Sequence, residues 1–199
     1  MAFVTYPDWL QDLHVRKPDE NAGRHIARIV RGLQGISLTH ERERLEALFL
    51  ANEAPERAAL VASMKTNCGT SMRAIYALAG CDSADRYLLD PYQVGMAVAW
   101  VLEQARINGA LVAASQWRRA GPGWGLHYGT PGKNDDHMEW ALDTPDPHTG
   151  SVEHGGGGRP GNAITIARGD IRWSSGRPLR ALIDPELMAD NPALADNPY

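Results

Sequence analysis

Cysteine is scarce in this chain: there are two, Cys68 and Cys81, among 199 residues. Two thiols cannot build a four-cysteine zinc site or a disulfide framework. Nor can they bridge each other. The 13 positions of expected helix between them span roughly 20 Å, far beyond the reach of a disulfide. Both therefore read as free thiols, which suits a reducing compartment. A surplus of positive charge is also missing. The formal net charge is -4, with Lys and Arg scattered along the chain. That excludes nucleic-acid binding through a basic face. No apolar run approaches the length of a membrane span, so no membrane partner is expected. The first residues, Met1 to Asp8, lack a basic stretch followed by an apolar one. The expected location is therefore cytoplasmic, with release or export by a non-classical route left open.

What the chain does have is enough apolar residues, 43%, for a true core. The first half reads as helix. Glu20 to Leu33 carries Ile26, Ile29, Val30 and Leu33 at helical spacing, with Gly35 as a stop. Thr39 to Ala51 repeats the pattern, and Pro55 opens a shorter helix. Asn67 is a helix cap with Cys68 at the first helical position, and that helix runs to Gly80. Asp90-Pro91 opens another, which ends near Asn108-Gly109.

After residue 110 the pattern changes. Leu111 to Trp117 fits a strand or a helical turn. Trp124 to Tyr128, His137 to Leu142, Ser151 to His154, Ala163 to Ala167, Ile171 to Trp173 and Leu179 to Ile183 read as strands between turn-forming residues. His137 to Leu142 and Ser151 to His154 would pair as a hairpin. Helices first and antiparallel strands later make an α+β fold. The tail repeats Asp-Asn-Pro at 190–192 and 196–198 and is expected to be extended or frayed. The glycine run Gly155 to Gly158 fails the phosphate-loop pattern and reads as a mobile loop at a cleft edge. The tryptophans read mostly as core, with Trp124 or Trp140 able to line a cleft.

The chemistry centres on Thr66-Asn67-Cys68-Gly69-Thr70-Ser71. A thiol is a strong nucleophile only as thiolate, and the unpaired N–H groups at a helix start favour that form. The same N–H groups can hold an oxyanion. A cysteine there is also a common small core residue. Cys68 is singled out by two histidines in later strands, His137 and His154. A thiolate needs an imidazole on a rigid neighbouring element, and a third polar group to orient that imidazole. His137 shares its strand face with Glu139 and Ala141. His154 sits across the hairpin, where it can orient His137; Glu153 should face the other way. His14, His25, His40 and His148 read as structural or surface residues.

These segments resemble the NlpC/P60 superfamily of papain-like cysteine peptidases. That family has a cysteine opening a helix, then a strand beginning at a glycine, then a strand beginning at the catalytic histidine, then a third polar residue. The corresponding stretches are Asn67-Cys68-Gly69-Thr70, Gly123 to Tyr128, His137 to Leu142 and Val152 to Gly155. Asn67 stands where the family has aspartate, and Gly69 where it has serine. The resemblance implies a papain-like antiparallel sheet with the cysteine helix packed on it. It divides the chain into an N-terminal helical elaboration over 1–60, the papain-like core over 61–184 and a tail over 185–199, in one compact domain. It further implies Cys68 as nucleophile, His137 as general base and His154 as orienting residue. The reaction would be amide hydrolysis through a thioester, with a peptide or muropeptide of the bacterial cell wall as substrate and no cofactor or metal. Two other readings stand beside it. One is a zinc hydrolase using His127, Asp135, His137 and His154; the other is a papain-like scaffold that binds without catalysis. Oligomeric state is not legible.

Overall fold

The structure, a computed structural model, describes residues 13, 16–35, 68, 71, 72, 75, 76, 79, 97–157 and 163–189. It is an α+β fold built on an antiparallel sheet. Helix α1 spans Ala22–Gly32, α2 Ala97–Ile107 and α3 Pro185–Ala189. The strands are β1 Leu111–Ala113, β2 Gly125–Tyr128, β3 His137–Ala141, β4 Ser151–Gly157, β5 Ile164–Asp170, β6 Trp173–Ser174 and β7 Arg177–Ile183. Their order is β1-β7-β2-β3-β4-β5, with β6 paired to β7. The expected helix ending near Asn108-Gly109 is α2 over its described residues. Its start at Asp90, the expected helices over Thr39–Ala51 and after Pro55, and Asn67, Cys81, His14 and His40 lie outside the described residues.

Helix α1 forms where its spacing predicts. The Asn21 side chain accepts the Arg24 N–H at 2.9 Å, capping the first turn. Ile26, Ile29, Val30 and Leu33 are fully buried on one stripe. Each such side chain contributes about 1.5–3 kcal/mol by leaving water. They pack with Met72, Ile75, Tyr76, Met138 and Trp140 in a core between the helices and one face of the sheet. Tyr76 meets Trp140 edge to face, ring centroids 4.7 Å apart. Thus α1 and the helical segment carrying Cys68 share one core. A second cluster, with Leu126, Tyr128, Ala141 and Val152, lies on the opposite face.

Four expectations are corrected. The glycine run is not a loop through Gly157: Gly155, Gly156 and Gly157 continue β4 and pair with Ile166, Thr165 and Ile164 of β5. The reason is space, since a Cβ on Gly157 would lie 2.3 Å from the Ser71 Oγ. Glycine lets the Cys68 segment approach the strand. Ile171 belongs to a turn instead of a strand. Asp170 accepts the Arg172 N–H and guanidinium, which ends β5, and β6 starts three residues later at Trp173. The tail does not begin at 185, because Pro185–Ala189 is helical and Met188 is fully buried. Glu186 accepts the N–H groups of Ala22 and Gly23, so α3 caps α1. Finally, Trp173 is 56% exposed, while Trp140 is fully buried and lines no cleft. Leu111 to Trp117 resolves into both alternatives, β1 followed by a 3-10 helix over Ala114–Arg119.

Replacing Gly157 with valine should therefore push the Cys68 segment off the sheet. Thermal unfolding should report a loss of about 1–3 kcal/mol, and alkylation of Cys68 should slow with it. An unchanged melting profile would show that the segment does not depend on this close approach.

Candidate active site

Strand direction places the site. β2 ends, and β3 and β7 begin, at the same end of the sheet, since Tyr128 pairs with both His137 and Leu179. β4 ends there as well. His137 is the first residue of β3, and the Cys68 Sγ lies 4.0 Å from the Asp136 carbonyl oxygen just ahead of it. Cys68 comes from the helix-covered face, whereas His137 sits in register with the other. They meet at the end of the sheet, where His137 opens β3.

Alternation along β3 sends Met138 and Trp140 under the helices and leaves His137 and Glu139 on the opposite face. The His137 Nε2 lies 2.7 Å from Glu139 Oε1. His154, opposite Ala141 on β4, places its Nδ1 2.6 Å from Glu139 Oε2. A carboxylate only accepts, so both ring nitrogens donate to it. The Ser174 hydroxyl donates to Oε1 at 2.9 Å. Ser174 is fixed by a two-residue hairpin in which Ser175 and Gly176 both take positive φ, 51° and 79°. The His154 ring has room because residue 169 is glycine; a Cβ there would be 3.0 Å from its Nε2.

The side chains of His137, Glu139 and His154 are only 17%, 13% and 14% exposed. Burial alone would lower His137; its hydrogen bonds with Cys68 and Glu139, and their negative charges, prevail and raise it to about 9. Burial alone would raise Glu139; the hydrogen bonds and charges of His137 and His154 prevail and hold it at about 2. At neutral pH His137 is an imidazolium between a sulfur and a carboxylate. With Nε2 given to Glu139, the other ring nitrogen is the one that serves the thiol.

The structure thus gathers Cys68, His137 and His154, but His154 reaches His137 only through Glu139. That carboxylate was not singled out as a site residue in the sequence. Its signal was the two-residue spacing from His137 on a strand whose alternate residues are core. Ser174 gave no such signal.

The four residues of the zinc alternative are not brought together. His127 pairs with Met138 on the helix-covered face, and its Nε2 is 2.8 Å from Asp136 Oδ1. Burial pushes it below its ordinary value despite that carboxylate. Asp135 is taken up by Thr130, whose N–H and hydroxyl both donate to it at 2.7 Å. Among the described residues no three His, Cys, Asp or Glu side chains are grouped as a metal site. Glu153 faces α1 and pairs with Arg31. His25 is buried, its Nε2 2.8 Å from the Leu13 carbonyl oxygen. Among the described residues no helix is long and apolar enough to cross a membrane. Comparison with protein-family models, curated proteins and solved structures gives no match.

Proposed function

We propose that this chain is a cysteine-dependent amide or peptide hydrolase of the papain-like NlpC/P60 type, acting through a thioester on peptides of the bacterial cell wall. The observation that carries the reading is the hydrogen-bonded line from Cys68 through His137 and Glu139 to His154. A buried thiol kept only for packing needs no imidazolium beside it, nor a carboxylate held by two histidines and a serine. The same line speaks against a scaffold that only binds. The cell-wall substrate comes from the resemblance of the Cys68, His137 and His154 segments to that superfamily.

In the reaction the Cys68 thiolate attacks the carbonyl carbon and a C–S bond forms. The carbonyl oxygen becomes an oxyanion, held by the backbone N–H of Cys68. His137 gives its proton to the amide nitrogen, the C–N bond breaks, and the amine leaves. His137, now neutral, takes a proton from water, which adds to the thioester carbonyl. Collapse releases the carboxylic acid and restores the thiolate and the imidazolium. Glu139 is a positioning residue: it keeps the ring aimed and stabilises its charge.

Alkylation mapped by peptide mass against pH tests this, with Cys81 as internal control. Near pH 6 Cys68 should react about a hundredfold faster than an ordinary thiol of pKa about 8.5. His137→Ala should remove the advantage. Hydrolysis of wall peptides should follow the same profile and vanish in Cys68→Ala. Ordinary titration of Cys68 would overturn the reading.

A further inference from the structure

Arg177 opens β7 at the end of the sheet where Cys68 and His137 meet. It stands directly opposite Ser174 in the β6–β7 ribbon, and Ser174 is bonded to Glu139. Residues opposite one another in a ladder share a face, so Arg177 lies toward the site. Its nearest charge agrees with that. The Nε is 3.7 Å from Oδ2 of Asp135, two residues before His137.

At 3.7 Å that contact is an ion pair and too long for a hydrogen bond, and each Asp135 oxygen accepts a bond from Thr130. Among the described residues two arginines are partly buried, Arg28 and Arg177. Arg28 spends its fork on Glu20, with Nε and Nη2 at 2.6 and 2.8 Å. The Arg177 guanidinium makes no hydrogen bond among the described residues, and its Nε is buried without a hydrogen-bond partner. Its side chain stays 31% exposed. A half-buried guanidinium with unused donors is costly unless something fills them. Asp135 holds the charge in place without consuming the fork.

We propose that Arg177 binds a carboxylate of the substrate, so that the enzyme takes amides bearing a free carboxylate close to the scissile bond. A planar fork matches a carboxylate with two parallel N–H···O bonds. The bond would orient the substrate as its carbonyl meets Cys68. This rests on the reading of Cys68 as a thiolate nucleophile.

Two alkylating probes test it without a known substrate. Iodoacetate carries a carboxylate and iodoacetamide does not; with either, the thiolate displaces iodide and a C–S bond forms. The ratio of the two rates at Cys68 is measured near neutral pH for the unaltered protein, Arg177→Gln and Arg177→Lys. The expected result is a saturable preference for iodoacetate that falls about tenfold in Arg177→Gln and less in Arg177→Lys, which keeps the charge but loses the fork. A ratio that Arg177→Gln leaves unmoved, including one in which both rates fall together, overturns the proposal. So does the lack of any preference in the unaltered protein while iodoacetamide reacts fast. Slow reaction with iodoacetamide as well would overturn the thiolate reading itself.

Discussion

Glu139→Gln is expected to slow alkylation of Cys68 near pH 6 about a hundredfold and to cost about 3 kcal/mol of stability. The substitution keeps the shape and removes the charge. His137 then loses the partner that holds its proton, and the thiolate loses its counter-ion. A neutral amide also replaces a carboxylate that accepted from His137, His154 and Ser174. Donors once bonded to a charge are left facing a weaker acceptor in a buried place, and that accounts for the loss of stability.

His154→Gln supplies the comparison. The sequence points to His154 as the group that orients His137 directly. In the structure its Nδ1 touches Glu139, one step removed. Its loss should therefore cost less, about three- to tenfold in reactivity and about 1–2 kcal/mol. Rates of Cys68 alkylation and thermal unfolding of both variants, measured together, settle the order along the line. A larger loss of reactivity in His154→Gln than in Glu139→Gln would put His154 directly against His137.

The legible parts of this site were those set by local pattern. Alternation placed His137 and Glu139 on one face, the hairpin brought His154 across from them, and Glu153 was rightly assigned to the other face. Helical spacing predicted α1, and the glycine after it takes φ +77°. The parts that were not legible depend on register between strands far apart in sequence. Ser174 reaches Glu139 only because the Ser175-Gly176 turn folds β6 onto β7. Arg177 enters the site only because β7 begins two residues before its apolar run. The glycine run misled for a related reason. Glycine usually signals a loop, but here it lies in β4 because Ser71 presses on residue 157, and no local pattern reports that contact.

Stability against pH provides a second large effect, and the form of the curve depends on Cys68. In Cys68→Ala only the carboxylate still raises His137. A raised imidazole contributes stability that is fully present below its unfolded value of 6.5 and is lost as pH rises through the folded value. That folded value will lie below about 9, since Cys68 supplies part of the rise. Glu139, depressed from 4.5 to about 2, contributes stability present above 4.5 and lost as pH falls through about 2. The variant should thus be most stable between these limits. It should lose up to about 3 kcal/mol on the alkaline side. If Cys68 is the proposed thiolate, its proton in the unaltered protein is already on His137. The folded pair holds one proton, and above 6.5 so does the unfolded chain, on its ordinary thiol, until about pH 8.5. The alkaline loss should therefore begin about two pH units later than in Cys68→Ala. Unfolding curves of the two proteins across this range measure the difference directly. Superimposable profiles would mean that no proton passes from Cys68 to His137, and the thioester mechanism would lose its nucleophile.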